Sequence, residues 1–230
     1  MHNVIHRQFS HQNLVDTLIQ SVLEQATHKK LFIVGITGLD ASGKSKLAEQ
    51  MAKKLKSAGR HVFTISGDSF QYPREYKEKL VEQSWALQHI KRTINFQSMI
   101  DDLFKPLQLY PRSLDLNIIN YDLGTSARQT FQLSYPLIVM VESIYLFQKS
   151  TLPYLDFKIF LEVSMGTALL RAQTRPRDLK LYGSVEGIKK KYMTKNFAGY
   201  QLFEKQFHPK EFADIIIKND NWQYPVVLAK

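Results

Sequence analysis

The stretch Gly38-Leu39-Asp40-Ala41-Ser42-Gly43-Lys44-Ser45 lies between the apolar run Leu31 to Thr37 and a helical repeat at Leu47, Met51 and Leu55. That order of strand, glycine-rich turn and helix constrains the chain more than any other segment. A strand ending in such a turn aims successive backbone N–H groups, and the positive end of the next helix, at one point in space, which suits a polyphosphate. Gly38 and Gly43 allow backbone angles and a close approach that a Cβ would block. Lys44 would then reach the β- and γ-phosphates of ATP, and the Ser45 hydroxyl would ligate Mg2+. The expected nucleotide grip is therefore Gly38, Ser42, Gly43, Lys44 and Ser45.

The remaining pattern predicts what surrounds this loop. Leu14, Val15, Leu18 and Val22 recur at helical spacing and predict an amphipathic helix over residues 10–28. Strands are expected at His61 to Ser66, Leu137 to Val141, Phe157 to Val163 and, as the last, Ala213 to Ile217. Ile100, Leu103, Phe104 and Leu107 form a further helical stripe ending near Pro111. Alternation from Leu114 to Tyr121, then a polar stretch before Phe131, predicts an antiparallel hairpin over about 112–134. Strands separated by helices predict an α/β fold, a doubly wound and mainly parallel sheet of the P-loop NTPase type, with ligands at the carboxyl ends of its strands. One domain over residues 1–230 is expected, with an arginine-bearing lid at about 171–184.

Composition narrows the function classes. Cysteine is absent, which removes disulfides, thiolate metal sites and a thiol nucleophile. No apolar stretch approaches the roughly 20 residues of a membrane span, and the first residues lack a signal-peptide core, so a cytoplasmic protein is the expectation. The net charge of +10 is spread along the chain, without an aromatic-interleaved basic stripe, so a small-molecule acceptor and ATP are expected as partners, not nucleic acid or a membrane. A homo-oligomer is compatible with the sequence.

Carboxylates at strand ends are the candidates for chemistry. Asp68, after the second strand, can act as general base toward an attacking hydroxyl, or merely cap a turn. Glu142 can hold Mg2+ directly or through water, or cap the following helix. Asp40 reads as a solvated loop residue. Pro176 interrupts the segment bearing Arg171, Arg175 and Arg177, so part of it should be loop. Arg177 and Arg175 would close over the phosphates, whereas Arg171 also reads as a basic helix end. Tyr121, Asp122 and Arg128 flank the hairpin turn and either form an acceptor pocket or are ordinary edge and turn residues.

With these residues in hand, the chain from about Leu31 to Pro225 resembles the uridine kinase and phosphoribulokinase family of P-loop kinases, in its bacterial uridine kinase-like branch. Gly35 to Ser45 is similar to that family's nucleotide loop, and Ile65 to Phe70 to its segment bearing the catalytic aspartate. Asn120-Tyr121-Asp122 is similar to its acceptor-facing turn, Val141-Glu142-Ser143-Ile144 to its Glu-Gly-Ile strand end, Arg177-Asp178 to its lid, and Ala213 to Ile216 to its closing strand. The resemblance implies an ATP- and Mg2+-dependent kinase in which Lys44 grips phosphate, Ser45 holds magnesium, Asp68 is the base and Arg177 is the lid arginine. A pyrimidine nucleoside is the first acceptor it implies; another sugar or alcohol, or a nucleotide-switched NTPase, are the alternatives. Departures fall on the acceptor side: Leu87 to Phe96 lacks the Asp-His-Pro stretch of uridine kinases, Ser126 stands where they carry histidine, and Tyr182-Gly183-Ser184 replaces Arg-Gly-Arg.

Overall fold

The protein is described from a computed structural model over residues 5–73, 76, 84–120 and 125–229. Its main sheet has seven strands: β1 (Ile5–Gln8), β2 (Leu31–Gly38), β3 (His61–Ser66), β6 (Leu137–Glu142), β7 (Phe157–Glu162), β8 (Ile215–Lys218) and β9 (Val226–Ala229). Their spatial order is β1-β9-β8-β7-β2-β6-β3. The five strands from β8 to β3 are parallel, and β9 and β1 add an antiparallel edge. The sheet is thus mainly parallel, as the sequence predicts, but Ala213 to Ile217 is not the end of it. β8 starts at Ile215, and β9 and β1 follow it outward. Both extra strands have only four residues, too few for a periodic pattern to set them apart from a loop.

Alternation along the strands sorts two cores. Phe32, Val34 and Ile36 of β2 pack with Leu18 and Val22 of helix α1 (His11–Ala26) and with Leu47, Met51 and Leu55 of helix α2 (Lys44–Ser57). The stripe that predicts α2 is therefore its buried face, and each such side chain contributes about 1.5–3 kcal/mol of transfer free energy. The opposite face buries Ile33, Val139 and Phe160 under the helical segment α4, over 96–107, whose Met99, Leu103, Phe104 and Leu107 point inward. Between them, α3 (Trp85–Thr93) precedes that segment and presents Trp85, Gln88, His89 and Arg92 at the spacing of one helical face.

The hairpin pairs β4 (Ser113–Asn120) with β5 (Thr125–Gln132) as a separate two-stranded sheet. Leu114 and Leu116 bury one face of β4, and Phe63 and Phe131 meet with ring centroids 5.1 Å apart. Beyond β7, helix α5 (Met165–Gln173) stops before Arg175, whose extended backbone (φ −78°, ψ 123°) precedes Pro176. Proline cannot continue the α5 ladder, but its fixed φ suits the first turn of a new helix. The result is α6 (Pro176–Tyr182), closed by Gly183 at φ 74°, so the expected arginine loop is a short helix between two breaks. A long helical segment over 185–207 then returns across the carboxyl ends of the strands, with a π-helical turn at Tyr192–Asn196.

Candidate active site

β2 ends at Gly38, where φ is 150° and a Cβ would come within 2.2 Å of the Leu161 carbonyl oxygen. At Gly43 φ is 100°, so the turn into α2 uses a left-handed step that favours glycine. Between them, Ala41 also has positive φ (61°), and the Ser42 amide donates to the Leu39 carbonyl at 3.1 Å. The loop folds tightly over the N-terminus of α2. It is braced from outside: Asn219 donates to the Ser42 carbonyl at 2.7 Å, and Arg171 donates to the Asn219 and Asp220 carbonyls at 2.5 and 3.0 Å. Arg171, at the end of α5, is thus a brace across to the residues that hold the loop, a role distinct from the basic helix end that the sequence suggests.

Lys44 is buried and donates to the Leu39 carbonyl at 2.9 Å, curling back on its own loop. Burial lowers its pKa, and the Glu142 and Asp40 carboxylates oppose that shift. Glu142, at the end of β6, accepts from the Ser45 hydroxyl at 3.1 Å. Burial raises its carboxyl above the ordinary range, against the pull of Lys44 and of hydrogen bonds from Ser66 and Ser45. Ser45 and Glu142 together present hard oxygen donors, the chemistry Mg2+ takes alongside phosphate and water. Among the described residues no three His, Cys, Asp or Glu side chains converge on a point, so any metal here would rely on such a mixed set.

Asp40 is not simply solvated. It accepts from its neighbour's amide at Ala41 (2.8 Å), from Arg175 (3.3 Å), from the Tyr192 hydroxyl (2.8 Å) and from Asn196 (3.2 Å). Burial pushes its pKa up, but Arg175, Lys44 and the hydrogen bonds from Tyr192 and Ala41 outweigh that and hold it below the ordinary carboxylate value. Tyr192 and Asn196 stand four residues apart in the 185–207 segment, so one face of that segment is pinned to the phosphate loop.

Asp68 sits in the 3₁₀ turn Gly67–Phe70 after β3, whose N-terminus the Ser66 hydroxyl caps. One carboxylate oxygen accepts from Gln71 at 2.9 Å, and the other accepts from both terminal nitrogens of Arg177 at 3.3 Å. A cleft of about 180 Å3 opens between Asp68, Asp40, the α3 face and Arg175, Arg177 and Asp178 at the start of α6. A second hollow of about 300 Å3 lies on the other side of the loop, against Gly43, Lys46, Asn219 and Trp222.

The structure brings together Lys44, Ser45, Glu142, Asp68, Arg175 and Arg177, with Gly38, Ser42 and Gly43 shaping the loop between them. Arg128 is placed elsewhere: on the solvent side of the hairpin it pairs with Asp115 at 2.8 Å and does not line the cleft. A residue on an outward-facing strand position satisfies itself with its cross-strand neighbour. Tyr121 and Asp122 lie outside the described residues. What the sequence reading missed is the wall opposite the loop: Trp85 and His89 on α3, with Lys191, Lys195 and Asn196 of the 185–207 segment. Their only sequence signal is helical spacing, which here marks a cleft-facing stripe.

Comparison with known proteins agrees with this geometry. The model of the phosphoribulokinase/uridine kinase family matches residues 33–220. A uridine kinase of Serratia proteamaculans is 26% identical over 194 residues, spanning 80% of this chain and 85% of that protein. Uridine-cytidine kinase B of Dictyostelium discoideum is 26% identical over 193 residues, spanning 82% of this chain and 75% of that one. A solved structure described as a possible uridine kinase from Bacillus stearothermophilus superposes with a TM-score of 0.71 at 20% identity, over 89% of this chain and 97% of its own.

Proposed function

The chain belongs to the phosphoribulokinase/uridine kinase family and is a kinase, and on that premise we propose that it moves the γ-phosphoryl group of ATP, with Mg2+, to a hydroxyl of a small metabolite held in the cleft beside Asp68. The observation that supports this most is the position of Asp68, whose carboxylate faces the cleft and is gripped by the lid arginine Arg177. A carboxylate there can take the proton of an attacking hydroxyl, while Lys44 and the loop amides hold the donor phosphates. Arg177 and Arg175, released toward the phosphates on closure, neutralise charge moving onto the leaving oxygen and exclude water. Ser45 and Glu142 are the residues that would hold Mg2+, which would supply charge neutralisation at the donor phosphates.

Uridine and cytidine are the first acceptors to assay, because the curated relatives are named for them. A second acceptor class, a charged alcohol such as a sugar phosphate or a pantothenate-like acid, is favoured by the cations that line the cleft. Incubation of the full chain with γ-labelled ATP, Mg2+ and a panel of both classes should give a labelled, phosphorylated acceptor. Release of labelled inorganic phosphate with no labelled acceptor would instead mark a nucleotide-switched NTPase.

A further inference from the structure

The cleft beside Asp68 is unevenly charged. Five cations line it, Arg92, Arg175, Arg177, Lys191 and Lys195, against three carboxylates, Asp40, Asp68 and Asp178. Those carboxylates are already engaged: Asp40 by Arg175, Tyr192 and Asn196, Asp68 by Gln71 and Arg177, and Asp178 by Arg175. Lys191 and Lys195 are not. Both are half-buried, and among the described residues neither forms an ion pair with a carboxylate.

Their printed neighbours are aromatic. The Lys195 ammonium lies 4.3 Å from the centroid of the Trp85 ring, and that of Lys191 lies 5.8 Å from the Tyr182 ring. Four residues apart at the junction of an α-helical and a π-helical turn, they put two like charges on one side of the cleft. Burial, and then the charge of Lys195, lower the pKa of Lys191, and the Asp40 carboxylate only partly offsets them. Donor phosphates already have their own ligands in the loop amides, Lys44 and the lid arginines. Lys195 belongs to a different wall, the one built by Trp85, Gln88 and His89 of α3. One ring face of Trp85 is occupied by this ammonium and so is not open to a stacked neutral base.

Resting on the phosphotransfer chemistry proposed for this cleft, we propose that its acceptor carries an anionic oxygen group, phosphate or carboxylate, on the hydroxyl-bearing skeleton, and that Lys191 and Lys195 are the residues that bind it. With that group on the lysines, the skeleton extends along the α3 face and brings a hydroxyl to Asp68. An anion placed between two ammonium groups turns their repulsion into two charge-assisted hydrogen bonds.

Isothermal titration of the full chain, saturated with a non-hydrolysable ATP analogue, should be run with ribose 5-phosphate, D-glycerate and uridine, on the wild type and on Lys191→Gln and Lys195→Gln. At least one of the two anions should bind about tenfold more tightly than uridine, and each substitution should weaken that anion by about tenfold while leaving ATP-analogue affinity unchanged. Which anion gains the advantage separates phosphate from carboxylate. Tighter binding of uridine than of either anion, binding of neither anion, or anion affinity within twofold of wild type in both variants would overturn the assignment. Phosphotransfer is read separately from labelled product, so loss of the kinase chemistry and loss of anion selectivity are distinct results.

Discussion

The two walls of the cleft are built on different principles. On the wall proposed for the donor the groups are main-chain amides with the Lys44 and Ser45 side chains, all from eight consecutive residues, Gly38 to Ser45, whose shape is fixed by two positive-φ glycines and by the brace from Asn219 and Arg171. On the acceptor wall they are side chains drawn from Asp68, from α3 and from the 185–207 segment, and no backbone constraint ties one to another. A main-chain grip tolerates little change because every atom in it is also a structural atom. A side-chain wall can exchange residues without disturbing the sheet beneath it. The same scaffold can therefore keep its donor chemistry while its acceptor changes, which is where this chain departs from uridine kinases.

Substitutions on the two walls should separate in kind as well as size. Asp68→Asn should lower turnover by about 100-fold to 10,000-fold, with ATP affinity held within about twofold, in steady-state assays paired with calorimetry. Turnover near wild type would remove Asp68 as the base. Lys44→Ala should weaken ATP binding by about 100-fold or more, because it deletes a buried cation from the grip, and titration calorimetry reads this directly. Wild-type affinity there would break the contrast between the walls at its root.

Asp40 joins the two walls, and its loss should be read in stability. Asp40→Asn should cost about 1 kcal/mol in denaturant unfolding, a modest figure because 38% of the side chain is exposed and the Arg175 pair is partly screened. The sign with pH follows from a carboxyl held below its ordinary value of 3.8: its contribution is fully present above that pH and is lost as pH falls through the lower folded value. The gap between wild type and variant should close in acid, and a gap that widened there would contradict the direction of the shift. The smallest effect belongs to Arg128→Ala. Its side chain is 77% exposed and pairs only at the hairpin surface, so melting should move by less than about 0.5 kcal/mol and acceptor KM by less than about twofold.

Legibility in the sequence follows the same division. The loop, its helix and the five parallel strands declare themselves because each is a local pattern: a spacing of glycines, a 3.6-residue repeat, an apolar run buried on both faces. Strands β1 and β9 do not, because a four-residue edge strand owes its existence to the partner beside it rather than to its own composition. Asp40 was hidden for a related reason. Its donors Arg175, Tyr192 and Asn196 lie more than 130 positions away in the chain, and only the folded chain brings them to it. Arg177 and Asp68 were each readable as candidates, but their contact was not. The cationic wall at Lys191 and Lys195 reads in sequence only as part of a lysine-rich exterior.

The ion pair between Arg177 and Asp68 has a consequence for economy in the cell. On the proposed mechanism, a carboxylate oxygen that already accepts from both terminal nitrogens of Arg177 is a poor proton acceptor for a stray water molecule. Movement of Arg177 toward the phosphates on substrate binding would free the carboxylate at the moment a hydroxyl is beside it. On that mechanism the ion pair would spare ATP idle cleavage until an acceptor is in place.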